Sequence, residues 1–326
     1  MPLPPSAPAP VPDTGLGPVP VPGRVDDLAP GLRRLTAPNP GVMTGPGTNT
    51  YLVGTGDVAV VDPGPHDEVH LAAVESAVEH AGGRIRWVLV THTHPDHAPG
   101  ATALARRSGA ALIGHAAVAD FAPDVCAGDG WRLEAPSFSL EALYTPGHAS
   151  DHLCWLLEGS RVLLSGDHVM GGVTVVIAPP DGDMAAYLAS LRRLLAMTPP
   201  IEAIAPGHGR LLGTPATVVT GILAHRAARE AVVLGALEAS GTASVDELVG
   251  RVYRDVDAAL FPVARLSLWA HLEKLVADGR AHEVASPQAP GSAPGPAPGS
   301  ASGPREAPPS YCYRATPSAS AGSSAS

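Results

Sequence analysis

Between Leu32 and about residue 213, short apolar runs alternate with longer amphipathic stretches. The run TYLVGTGDVAVVD reads as two short strands joined by a Gly-containing turn. In DEVHLAAVESAVEHAGG the spacing of Val69, Ala73, Ala77 and His80 predicts a helix, ended by Gly82 and Gly83. IRWVLVT predicts a buried strand, and a further helix runs from Pro99 to about Arg107. FSLEALYTPGH, HLCWLLEG and RVLLSGD predict three more strands, each ending at a polar cluster. DMAAYLASLRRLLAM predicts a helix with Met184, Leu188, Leu191 and Leu195 on one face, and IEAIAPGHG a last strand and loop. Interleaved strands and helices define the α/β class.

The pattern changes at Thr214. A long helix to about Ser240 is followed by SVDELVGRVY, AALFPVARLSLWAHLEKLVADG and RAHEVA, which predict helix, helix and short strand. This is the pattern of a small winged-helix-like domain. Both chain ends differ again: residues 1–23 are rich in Pro, and residues 286–326 repeat Pro, Ala, Gly and Ser. Such composition lacks the apolar bulk to offset chain entropy, so both segments are expected to be disordered. The division expected is 1–23 disordered, 24–213 catalytic, 214–285 long helix plus winged-helix-like domain, and 286–326 disordered tail.

Charge and cysteine usage narrow the setting. The formal net charge is −10, unlike a general nucleic-acid binder. Residues 215–285 carry seven Arg and Lys against nine Asp and Glu, so the winged-helix-like part is not basic either. Cys126, Cys154 and Cys312 lie far apart without paired spacing, which suits a reducing compartment. The opening MPLPPSAPAPVP has neither a basic n-region nor an apolar h-region, and no apolar run is long enough to span a bilayer. A cytoplasmic protein without membrane partners is expected.

The chemistry concentrates at strand ends. VLVTHTHPDHAPG places His92, His94, Asp96 and His97 within six residues after an apolar strand. Alternation along extended backbone lets His92 and His94 face one ion, and Pro95 turns the chain so that Asp96 and His97 face a second. His148 in TPGHASDH, Asp167 in LLSGDHV and His208 in APGHGR follow later strands and are flanked by glycine. One assignment gives His92, His94 and His148 to the first ion, Asp96, His97 and His208 to the second, and lets Asp167 bridge. Two divalent ions between these ligands can hold a hydroxide, so neither Ser nor Cys is needed as nucleophile. Asp96 is the candidate for orienting that hydroxide, and Asp96 and Asp167 are the expected catalytic groups. His152 is assigned to support of the ligands, and His168 to structure. His66, His70, His80 and His115 are read as ordinary surface or helix residues. Thr48 and Asn49 fit either the cleft or a turn. On the long helix, Arg226 and Glu230 have ion-pair spacing, and His225 and Arg229 could hold an anionic substrate.

The order HxHxDH, then separated His, Asp and His, resembles the metallo-β-lactamase-fold hydrolase superfamily. NPGVMTGPGTNTYLVGTG, TPGHASDH, SGDHVMGG and HRAARE further resemble the β-lactamase-like protein 2 group, which adds a C-terminal winged-helix-like domain. The resemblance implies an αββα sandwich with a dinuclear zinc site at one edge, iron or manganese being the alternative ions. A zinc hydrolase of a small ester or thioester is the leading expectation. The group also implies an endoribonuclease acting on single-stranded RNA, which the acidic second domain disfavours. A non-enzymatic regulatory or binding protein fits poorly with seven intact ligand positions. Asp167, where a zinc-binding cysteine would stand, disfavours a β-lactamase proper, and His94 in place of Glu disfavours a flavo-diiron oxidoreductase.

Overall fold

The computed structural model describes residues 8–284 and 312–317. The chain forms two compact units: Pro10–Val175 with Ala186–Leu223, and the remainder.

In the first unit two seven-stranded sheets face each other. The first consists of β2 (Val25–Ala29), β3 (Leu32–Thr36), β4 (Asn49–Val53), β5 (Asp57–Val61), β6 (Arg84–Leu89), β7 (Ala111–Gly114) and β8 (Val125–Cys126), in that spatial order. The second runs β1 (Gly15–Leu16), β14 (Leu211–Leu212), β13 (Ala203–Pro206), β12 (Val162–Gly166), β11 (Leu153–Leu157), β10 (Phe138–Tyr144), β9 (Arg132–Ala135). Strict alternation explains why the strands read as continuous apolar runs. Tyr51, Val53, Ala59, Val61 and Leu89 point between the sheets and meet Leu140, Leu153, Trp155 and Leu164. Leu52, Val58, Val60 and Val88 point outward under α1 (Glu68–His80) and α2 (Pro99–Ser108). β5, β6 and β7 are parallel and release the chain at one common edge, as do the parallel β12 and β13. The candidate ligands all follow the ends at that edge.

One helix face is rotated relative to the expected spacing. In α1 the buried side is His70, Leu71, Val74 and Val78, whereas Val69 is 78% exposed. In α3 (Met184–Leu195) the expected face holds: Met184, Leu188 and Leu191 are buried, together with Tyr187 and Leu194, and only its last member, Leu195, is exposed. The Pro-rich opening segment is ordered from residue 8, contrary to expectation; residues 1–7 lie outside the described residues. Proline removes amide donors but not carbonyl acceptors. Pro12 accepts from the Gly172 amide, Pro18 accepts from Arg34, and Gly15–Leu16 pairs with β14.

His70 is buried rather than superficial. Its Nε2 donates to Thr50 Oγ1, whose own hydrogen goes to the Asp62 carbonyl, and Nδ1 is buried without a partner. Burial therefore lowers its pKa to about 4. The unfolded chain takes up this proton near pH 6.5 and the folded chain does not. The contribution is complete above pH 6.5 and is lost as pH falls towards 4, by on the order of 3 kcal/mol. Urea midpoints at pH 7 and pH 4.5 should fall further for the wild type than for His70→Gln; equal falls would refute this.

The second unit is a winged-helix domain. α4 (Pro215–Ser240) supplies Val233 and Leu237 to a core with Leu248 of α5 (Val245–Val252), and Leu268, Trp269, Leu272 and Leu275 of α6 (Phe261–Ala277). Ser244 and Glu247 form a reciprocal capping box that starts α5. β15 (Ala281–Val284) pairs with β16 (Cys312–Ala315). That pairing corrects the expectation of a wholly disordered tail. Tyr313 is fully buried and donates to Glu273, because YCYRA is an apolar island that the surrounding Pro and Gly conceal. The rest of the expected tail, 286–311 and 318–326, lies outside the described residues. Arg229 is bidentate to Asp255 and donates to the Val252 carbonyl, and His225 Nδ1 meets the Ala9 carbonyl. Glu230 receives Arg280 and Lys274. No helix among the described residues is long and apolar enough to cross a membrane.

Candidate metal centre

β6 ends at Leu89, so His92 and His94 lie on a loop rather than on extended strand. They converge nevertheless, through unlike ring atoms. His92 Nε2 lies 3.0 Å from His94 Nδ1, which lies 3.0 Å from His148 Nε2. Nitrogens around one tetrahedral ion at zinc-like bond lengths are about 3.3 Å apart. Asp96, His97, Asp167 and His208 form a second group beside this one. Asp167 Oδ1 is 3.3 Å from His97 Nε2 and 3.4 Å from His208 Nε2, while its Oδ2 is 3.7 Å from His148 Nε2. Asp96 Oδ2 is 3.1 Å from His208 Nε2 and 3.5 Å from His97 Nε2. Asp167 thus presents one oxygen to each group.

Neighbouring groups fix which nitrogen of His92, His97 and His208 faces inward. Asp62, at the end of β5, accepts from the Thr91 amide at 2.7 Å, from Thr91 Oγ1 at 2.8 Å and from His97 Nδ1 at 2.9 Å. Having given its hydrogen to Asp62, Thr91 Oγ1 accepts from His92 Nδ1 at 2.9 Å. His208 Nδ1 donates to the Gly47 carbonyl at 3.2 Å. Each contact turns Nε2 towards the other ligand atoms, the arrangement that orients metal-bound histidine. Asp151 Oδ2 accepts from the Thr93 amide and ties the His148 loop to the His92 loop.

The two groups differ electrostatically. Burial, reinforced by the surrounding imidazoles, holds His92 well below its usual pKa, so it is a neutral donor. In the second group burial disfavours charge on His97, but Asp167 and Asp62 outweigh it and raise that pKa well above the usual value. His208 is raised to about 9 against burial by Asp167 and Asp96. Asp167 is held low against its own burial by His97 and His208. Without a cation these carboxylates retain protons on the imidazoles, and a bound cation takes the place of those protons.

The side chains fit a cation on independent grounds. His97 Nε2, Asp167 Oδ1 and His208 Nε2 are buried without a hydrogen-bond partner, despite lying 3.3–3.4 Å apart. The chain also makes room here. A Cβ on Gly207 would stand 2.5 Å from Asp167 Oδ1 and 2.7 Å from His97 Cε1. Gly166, at φ +48, lets the backbone pass Thr91 Oγ1, which a Cβ would approach to 2.5 Å.

All seven expected ligands lie in these two groups. His152 is in neither: it is fully buried, with Nδ1 3.0 Å from Thr145 Oγ1. His168 packs against Tyr187 and His115 stacks on Tyr144. Thr48 and Asn49 adjoin the His208 loop from the first sheet. Sequence reasoning passed over Asp62, although an acidic residue closing the apolar run DVAVVD before Pro-Gly repeats the strand-end pattern of the ligands.

Residues 43–208 match the metallo-beta-lactamase superfamily, and residues 244–289 match the beta-lactamase associated winged helix domain. The chain belongs to the metallo-beta-lactamase superfamily and carries that winged-helix extension. It is 32% identical to an atrochrysone carboxyl ACP thioesterase of Aspergillus fumigatus, over 73% of this chain and 79% of the relative. It is 28% identical to a beta-lactamase-like protein 2 homolog of Caenorhabditis elegans, over 78% and 87% respectively. A metallo-beta-lactamase family protein of Thermus thermophilus has the same fold, with TM-score 0.69 and 23% identity over 89% of this chain and 100% of that one.

Proposed function

We propose that this protein is a dinuclear zinc-dependent hydrolase that cleaves an ester or thioester, thioesters first. The observation that carries the reading is the placement of Asp167 between two groups of ligands, with one oxygen towards each. The thioesterase name of the Aspergillus relative supports the substrate class. When bound, the ions supply a water whose pKa is lowered towards ~7 and a Lewis-acid contact for the substrate carbonyl. The chain's own residues divide the rest. His92, His94 and His148 would hold one ion and Asp96, His97 and His208 the other, with Asp167 shared. Asp96, 28% exposed, would accept a hydrogen from the attacking water. Three free thiols, Cys126, Cys154 and Cys312, accord with a cytoplasmic setting.

The test is a parallel assay of zinc-loaded protein with acyl thioesters, including S-lactoylglutathione and acyl-pantetheine, with oxygen esters and with single-stranded RNA. Thiol release is expected, abolished in Asp167→Ala. Asp167-dependent RNA cleavage without turnover of any acyl substrate would overturn the reading.

A further inference from the structure

The loop that carries His208 lies outside the strand ladders, between the end of β13 at Pro206 and the start of β14 at Leu211. Glycines flank His208 on both sides, so the loop has little conformational preference of its own. The Gly207 amide is held by the Gly166 carbonyl at 2.8 Å. Its carbonyls are held from the facing sheet. Tyr51 Oη donates to Pro206 O at 2.7 Å, and the Asn49 amide donates to Gly207 O at 2.8 Å. Asn49 Nδ2 reaches Pro206 O at 3.0 Å and Gly209 O at 2.9 Å, and Arg34 Nη1 reaches Gly209 O at 3.3 Å.

This cradle is built at a cost. Asn49 and Arg34 are fully buried and Tyr51 is 2% exposed, and burying such groups is unfavourable unless each is hydrogen-bonded. Both orientations are fixed in turn. Asn49 Oδ1 accepts from Thr36 Oγ1 at 3.1 Å, which turns the amide nitrogen towards the carbonyls. Arg34 is held by Asp26 at 2.6 Å and by Pro18 O at 2.9 Å. Apolar side chains at positions 34, 49 and 51 would serve the packing between sheets. These polar ones instead specify where Pro206–Gly209 lies.

We propose that Asn49 is a positioning residue for the second ligand group. With Tyr51 and Arg34, it sets the Pro206–Gly209 backbone so that His208 Nε2 meets Asp96 and Asp167. The proposal rests on the two-ion reading and adds residues that touch no ion. It assigns Asn49 an effect on one ion and not the other, because the cradle holds the His208 loop and not the loops of His92, His94 or His148.

The test is zinc binding to the full chain, by chelator competition and by metal analysis after dialysis. In Asn49→Ala each loop carbonyl keeps one donor: Tyr51 for Pro206, Arg34 for Gly209 and the backbone amide for Gly207. The fold is therefore expected to persist, as circular dichroism would show. One equivalent of zinc should bind within about threefold of wild type, and the other about 10- to 100-fold more weakly. Tyr51→Phe should show a smaller loss with the same selectivity, and it carries the test should Asn49→Ala not fold. Val74→Ala, in the core beneath α1, controls for destabilisation alone and should keep both equivalents at a lowered Tm. Unchanged binding in Asn49→Ala, parallel weakening of both equivalents, or selective loss in Val74→Ala would each overturn the proposal. Wild-type protein that binds fewer than two ions would overturn the two-ion reading and this role with it. Two ions in wild type and two of unchanged affinity in Asn49→Ala would overturn this role alone.

Discussion

Asp167→Ala is expected to reduce bound zinc from two ions per chain to one or fewer and to slow thioester hydrolysis on the order of 10³-fold or more. Asp167 is the one ligand shared between the groups, with Oδ1 towards His97 and His208 and Oδ2 towards His148. Removing it deletes an anionic donor from both at once. It also leaves His97 and His208 without the carboxylate that does most to favour positive charge on them, so Asp96 is the one carboxylate left within the second group, with Asp62 still behind His97. The fold should survive, because Asp167 follows the ladder of β12 and its removal breaks no strand pairing. Metal analysis, circular dichroism and a thiol-release assay on the same preparation check all three parts. Two ions per chain in the variant, or activity within tenfold of wild type, would refute the shared role.

How much of this was legible depended on whether a feature is local in the chain. The ligand run His92–His97 and the three Gly-flanked outliers are short motifs, and strand-end placement sufficed to group them. Even there the local geometry differs from strand alternation. His92 and His94 do not converge as same-face neighbours on a strand; they sit on a loop and use Nε2 and Nδ1 respectively. β4, β5, β6, β10, β11 and β12 were visible as apolar runs, and the four-residue β13 and β15 were foreseen as well; β3 was not, because Arg33 and Arg34 interrupt it. The pairings of Gly15–Leu16 with β14 and of Cys312–Ala315 with β15 were not foreseen either, because the partners lie far apart in sequence. The Pro-rich opening misled for a related reason. Composition measures what a segment can bury by itself, whereas Pro12 and Pro18 are held through carbonyls by residues of the sandwich. The residues that orient the ligands were the least legible. Asp62 and Asn49 act across sheets and loops, and no spacing rule links them to His97 or His208.

Asp62→Asn should therefore be the most damaging change outside the seven ligands. Asp62 is buried, with a left-handed backbone at φ 51 that asparagine also tolerates, so the substitution isolates the carboxylate. One oxygen can still accept from the Thr91 amide. The new NH2 then faces two donors, Thr91 Oγ1 and His97 Nδ1, where an oxygen had accepted both. A buried donor left facing donors costs about 2–3 kcal/mol. The two donors lead to different ions: His97 belongs to the second group, and Thr91 Oγ1 orients His92 in the first. Both equivalents of zinc should weaken by about 10- to 100-fold, with a lower Tm for the metal-free protein as well. Thr91→Val separates the two routes, since it removes the hydroxyl that serves His92 while leaving the Asp62–His97 contact, and it should weaken chiefly the equivalent that Asn49→Ala leaves unchanged. Chelator competition on the three proteins measures this. If Asp62→Asn bound both ions with wild-type affinity, the inward-facing nitrogens of His92 and His97 would not depend on Asp62, and packing alone would orient those rings.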